Sequence, residues 1–315
     1  MRALRDYVLI FLKGIGMGAA DVVPGVSGGT IAFISGIYEE LLGSIKKFDL
    51  EAVKLAARFQ FGKLWRHVNG AFLASLLAGI LFSLLTLSRL ISYILVEHPI
   101  QIWSFFFGLI VISTIWVARE IHKWDIKVIM SGLVGIAIAY YVTVATPTET
   151  STALWFIFVS GAIAICAMIL PGISGSFILL ILGKYEYIIN AVRDLNILVL
   201  VVFAAGCVVG ILSFARFVSW LLKNYHDTAI ALLAGFMVGS LNKIWPWKVV
   251  TEYRIDSHGM QKPFLERNVW PWNYTENGDN PYIGQALLFM IIGVLLIIVL
   301  EKVAERLRKK DAQAA

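Results

Sequence analysis

The segment PGVSGGT at Pro24–Thr30 recurs as PGISGSF at Pro171–Phe177, and each copy interrupts an otherwise apolar stretch. The correspondence runs well beyond the motif. Adding 147 to a residue number carries Gly14 to Gly161, Ala20 to Ala167, Gly36 to Gly183, Tyr38 to Tyr185 and Glu39 to Glu186. That offset is near half of the 315 residues, so the chain is a duplicated unit, with repeats over 1–150 and 151–315. Paired breaks of this kind in apolar sequence mark the binding centre of transporters built from internal repeats.

The apolar content decides the class. Hydrophobic residues make up 59% of the chain and charged residues 15%, with mean hydropathy +0.78. A soluble domain could not cover so much apolar surface, whereas a bilayer can. Candidate spans lie at 71–96, 102–117, 128–145, 197–222, 228–244 and 283–300, each near the roughly 20 residues that cross a hydrocarbon core as helix. The fold expected is an all-α polytopic membrane protein. The two cysteines, Cys166 and Cys207, sit in apolar segments, so neither a disulfide framework nor a thiol metal site is expected. The five histidines show no ligand spacing, so no metal and no cofactor is expected. The net charge of +6 is assigned to cytoplasmic loops and not to nucleic acid.

Basic residues set the topology. Lys and Arg cluster at Arg2 and Arg5, across Lys46–Arg66, at Arg119, Lys123 and Lys127, and at Lys302–Lys310, while 97–101 and 146–152 carry none. The positive-inside rule then places both termini and residues 45–67 in the cytoplasm. Residues 7–44 must enter and leave on one side. Arms Tyr7–Val23 and Ser27–Gly43 of about 17 residues give roughly 25 Å of helix, somewhat less than a bilayer core. A re-entrant helical hairpin fits, with two short full spans as the alternative. Three spans follow, so the hairpin at 153–190 starts from the other side, and the repeats are expected to be inverted. Past the hairpins the offset becomes 127, pairing Gly79 with Gly206, Arg89 with Arg216 and Gly108 with Gly235. The missing residues locate an insertion at 45–67, read as an amphipathic helix on the inner leaflet or a solvated linker helix. A second insertion, 246–281, is expected to be an external loop with interfacial tryptophans.

At each tip a proline ends the entering arm, glycines allow close backbone approach, and Ser27 or Ser174 can cap the leaving arm. First-turn N–H groups and the positive end of the helix dipole suit an anion. Ser27, Gly28, Gly29 and Thr30, with Ser174, Gly175 and Ser176, are therefore candidate phosphate ligands; close packing of small residues is the alternative. Arg89 and Arg216 lie in apolar sequence at equivalent positions and could bind a phosphate bidentately, or snorkel to the interface. Asp21, whose counterpart is Met168, could couple transport to a proton or cation, or anchor a hydrogen-bond network. Glu39 and Glu186 are further coupling candidates, although an anchoring role beside Tyr38 and Tyr185 is also open. No motif of an enzyme is found.

The strings GAADVVPGVSGGTIAFISGIYEELL at Gly18–Leu42 and ILPGISGSFILLILGKYEYI at Ile169–Ile188 resemble a bacterial membrane family of polyprenyl-phosphate transporters, once a domain of unknown function. The resemblance implies return of undecaprenyl phosphate from the outer to the inner leaflet of the cytoplasmic membrane, with Ser27–Thr30 and Ser174–Ser176 as phosphate-binding tips. Its partners would be that lipid phosphate and membrane lipids, with a homodimer left open. A carrier of soluble anions such as phosphate or sulfate, and a membrane lipid phosphatase, are the competing readings.

Overall fold

A computed structural model describes residues 4–23, 26–148, 150–255, 261–274 and 280–314. Its contacts divide the chain into two compact units, Met1–Ser92 with Trp116–Ser240, and Tyr93–Ile115 with Leu241–Ala315. This division interleaves the two halves of the sequence.

The first unit begins with α1 (Leu4–Val22), which stops where Pro24 would push its predecessor out of helical geometry. Pro24 and Gly25, expected at the turn, lie outside the described residues. The chain resumes at Val26, and α2 (Gly28–Ile34) and α3 (Tyr38–Lys46) follow. At offset 147 the pattern repeats with α10 (Leu154–Ile169), α11 (Gly175–Ile181) and α12 (Tyr185–Arg193). The leaving arm expected to be continuous is broken in both copies. Gly36 and Gly183 take φ of +71° and +61°. Ile37 N–H reaches back to Ala32 C=O at 3.0 Å and Lys184 N–H to Leu179 C=O at 2.8 Å. These are the six-to-one bonds of a glycine-stopped helix end, a conformation other L-residues resist. The axis turns by 104° between α11 and α12. Each tip helix is thus seven residues, about 10 Å, a third of a bilayer core.

The insertion at 45–67 is two short helices and not one: α4 (Leu50–Ala57), capped by Asp49 through the N–H groups of Glu51 and Ala52, and α5 (Phe61–His67). The span expected at 71–96 is also divided, into α6 (Gly70–Thr86) and α7 (Ser88–Glu97). Thr86 donates its hydroxyl to Phe82 C=O at 2.6 Å next to the break, a back-bond that bends helices. The equivalent α13 (Ile197–Asn224) runs unbroken for 28 residues. Helices pair through small residues. On α1 and α6 a Cβ at Gly79 would stand 2.1 Å from Phe11 C=O, and on α10 and α13 a Cβ at Gly206 would stand 2.0 Å from Phe158 C=O. Only glycine permits that approach, as is common between helices in lipid. In the same unit α9 (Ile126–Val144) lies along α14 (His226–Ser240) through Gly135 and Gly235.

In the second unit α8 (Pro99–Ala118) packs on α15 (Ile283–Ala314) through Gly108 and Gly293. The 246–281 segment is not all loop. It forms an antiparallel hairpin, β1 (Lys248–Ile255) with β2 (Gln261–Asn268), so strand enters an otherwise helical fold. Tryptophans fasten it: Trp245 Nε1 donates to Val269 C=O at 2.8 Å and Trp247 Nε1 to Pro281 C=O at 2.9 Å. The side chain of Lys248, first residue of β1, is buried, its Nζ 3.7 Å from the Trp103 ring centroid and 3.7 Å from Glu266 Oε2. Burial pushes its pKa down to about 7 against the opposing pull of Glu266.

Among the described residues α8, α9 and α13 are each long and apolar enough to cross a bilayer, and five spans result if each bent pair counts as one. The protein is a helical membrane protein.

Candidate functional site

The two tips meet inside the first unit. Ser27 Oγ donates to Met168 C=O at 2.9 Å, and Gly172 N–H donates to Thr30 Oγ1 at 2.9 Å. Gly29 lies so close that a Cβ would stand 2.4 Å from Ile169 C=O. Residues 27–30 and 168–172 therefore form one contact, 141 or 142 positions apart in sequence.

The first tip is closed. Ser27 and Thr30 are fully buried, and Gly28 and Gly29 are buried beside them. Its donors are already engaged. Gly28 N–H donates to Asp21 Oδ1 at 2.7 Å, Gly29 N–H to Ser27 Oγ at 3.0 Å and Thr30 N–H to Ser27 C=O at 2.9 Å. Asp21, at the end of α1, thus presents its own carboxylate where an anion was expected, and an acceptor at a helix start is favoured by the dipole.

The second tip differs. Met168 stands at the Asp21 position and brings no carboxylate. Ser174 does not cap α11; its Oγ lies 2.9 Å from Ser176 Oγ, with either able to donate. Ser174 and Gly175 are buried, whereas Ser176 is exposed. Gly172, at φ +86°, rests against α14, where a Cβ would stand 2.9 Å from both Phe236 C=O and Ser240 Oγ.

Arg89 and Arg216 do not bond to either tip. Arg89, second residue of α7, is exposed and makes no hydrogen bond or ion pair among the described residues. Arg216 is exposed on α13, its guanidinium donating to Leu212 C=O at 3.0 Å and to Phe48 C=O at 3.3 Å, which ties the start of the insertion to this helix. Glu39 and Glu186 are exposed in the first turns of α3 and α12, where acidic side chains suit the dipole. Tyr38 is buried against Phe33 and so cannot be an interfacial anchor, whereas Tyr185 is exposed.

Two lysines escaped the sequence reading. Lys13 Nζ donates to Ser35 C=O at 2.6 Å, at the C-terminal end of α2. Lys184, buried, donates to Thr150 C=O at 2.6 Å, while Thr148 N–H and the Thr150 hydroxyl reach Ile181 C=O and Leu182 C=O. Carbonyls freed by the breaks at Gly36 and Gly183 are thereby satisfied, as lipid demands. Lys13 lay in plain view as a cation in apolar sequence.

A family model matches residues 17–262, covering both tips. The chain belongs to the undecaprenyl phosphate translocase-like family. It is 46% identical over 302 residues to a polyprenyl-phosphate transporter of Vibrio cholerae serotype O1, covering 96% of this chain and 98% of that one. A polyprenyl-phosphate transporter of Staphylococcus aureus is 32% identical over 254 residues, 75% of this chain and 85% of the relative. No solved structure matches.

Proposed function

We propose that the protein carries undecaprenyl phosphate, or a lipid phosphate like it, across the bacterial cytoplasmic membrane from the outer to the inner leaflet, returning the carrier lipid for cell-envelope synthesis. It acts as a transporter and not as an enzyme. Family membership and two relatives named polyprenyl-phosphate transporters support the substrate class. The observation that supports the site is the meeting of the two motifs, where Ser27 and Thr30 at the start of α2 bond to Met168 at the end of α10 and to Gly172 in the turn before α11. On this reading the repeats are inverted, both termini are cytoplasmic, and one repeat rocks against the other.

The tips divide the work. Ser174, Gly175 and Ser176 receive the phosphate first, because Ser176 is exposed and no carboxylate competes there. Ser27, Gly28, Gly29 and Thr30 take it when the tips part and Asp21 yields Gly28 N–H. A carboxylate and a phosphate repel at one donor, so protonation of Asp21 would favour transfer, and this makes it the coupling residue ahead of Glu39 and Glu186. Arg89 and Arg216, on exposed faces of α7 and α13, draw the headgroup from each leaflet while the isoprenoid tail stays in lipid.

Proteoliposomes holding fluorescent undecaprenyl phosphate test this, with leaflet position read by a quencher added outside. The native protein moves the lipid inward, and Ser176→Ala slows it roughly tenfold, as expected for a lost hydrogen bond to a charged group. Uptake of radiolabelled phosphate or sulfate without lipid movement would replace this reading with a soluble-anion carrier. Release of inorganic phosphate from the lipid would make the protein a phosphatase.

A further inference from the structure

The fold assembles a cluster that the spacing of histidines in sequence conceals. His122 lies between α8 and α9, and His226 and Asp227 open α14. His122 Nδ1 is 3.1 Å and His226 Nδ1 is 3.2 Å from the same oxygen, Asp227 Oδ1. The two imidazole centroids are 5.6 Å apart. One ligand atom from each of the three side chains falls within 4.8 Å of the others. The second carboxylate oxygen accepts from Lys123 N–H at 2.9 Å, which holds the carboxylate in orientation.

We propose that His122, His226 and Asp227 bind one divalent first-row transition ion, with Zn²⁺ the preferred member. Two imidazoles and a carboxylate are the donor set such ions take. The two N···O separations approach the ~3.3 Å between ligands on a tetrahedral ion with bonds of about 2.0–2.1 Å. Binding replaces the protons now shared between ring nitrogens and carboxylate. The His122 side chain is 78% exposed, so an ion and a fourth ligand, water, reach the site directly. Nearby charges are mixed: Arg119, Lys123 and Lys127 oppose a cation, and Glu120 and Asp125 favour it. The ion would clasp the α8–α9 connection to α14, the helix against which Gly172 of the second tip rests.

Full-length protein in detergent, stripped with chelator, is titrated with Co²⁺ followed by visible absorption and with Zn²⁺ followed by calorimetry. One ion per chain is expected, with Co²⁺ bands of four-coordinate N/O ligation. His122→Gln and His226→Gln each weaken binding at least about tenfold, and the double variant removes it. His67→Gln, at the separate His67–Asp49 pair, leaves binding unchanged. Circular dichroism of each metal-free variant checks the fold. Absence of binding in the native protein, or equal binding by the folded double variant, overturns the proposal.

Discussion

The two tips share a sequence pattern and hold different chemistry. At the first, Asp21 and Ser27 occupy the opening N–H groups of α2 and every residue from Ser27 to Thr30 is buried. At the second, Met168 replaces the acid, Ser174 turns to Ser176 instead of capping α11, and Ser176 is exposed. The same backbone device thus occurs twice in the chain, and one difference, Asp21 against Met168, leaves only the first copy with its own carboxylate acceptor. At the other differing position, Gly29 lies tight against Ile169 C=O, whereas its counterpart Ser176 is exposed.

The reciprocal exchange is the most severe test of that difference. Gly29→Ser would set a Cβ 2.4 Å from Ile169 C=O, and the backbone there has little room to give. The tips should part and stability fall by roughly 1–3 kcal/mol, seen as earlier thermal unfolding in detergent. An unshifted transition would mean the tips are not in firm contact. Next comes Asp21. Asp21→Ala strands the Gly28 N–H and should destabilise by about 1–3 kcal/mol. Asp21→Asn keeps an acceptor, so it should hold stability near native while abolishing any dependence of lipid flux on a pH gradient. Equal loss in both variants would reduce Asp21 to a charge in a structural network. The smallest structural effect belongs to Ser176→Gly, about 1 kcal/mol for the partner lost to the buried Ser174 hydroxyl, yet its lipid flux should drop as in Ser176→Ala. Full flux in this variant would erase the functional contrast between the tips.

Much of this could be read from residue order. The recurring Pro-Gly-Ser-Gly string marked where α2 and α11 begin, and the two helices match in length as the offset of 147 implies, although each leaving arm was expected to run on unbroken. Gly36 and Gly183 stood among the matched positions, but apolar residues continue past them, so hydropathy hid a break that only positive φ reveals. The pairing of Ser27 with Met168 was beyond reach, since no local pattern links positions 141 apart. The same holds for His122 and Asp227, separated by 105. Polar composition at 246–281 suggested loop, because its β-hairpin depends on tryptophans that fasten it from outside the strands.

The buried lysine that opens β1 carries a consequence for alkaline conditions. With its pKa pushed down to about 7 by burial, Lys248 is neutral in the folded hairpin above that value, whereas an unfolded chain keeps the proton up to the ordinary lysine value of 10.5. The unfolded form then binds more protons, so the hairpin grows more stable as pH climbs from about 7 towards 10.5. Tryptophan fluorescence during urea unfolding should report this rise, and Lys248→Met should flatten it. A buried amine would thus make the tryptophan-fastened module firmest in basic surroundings.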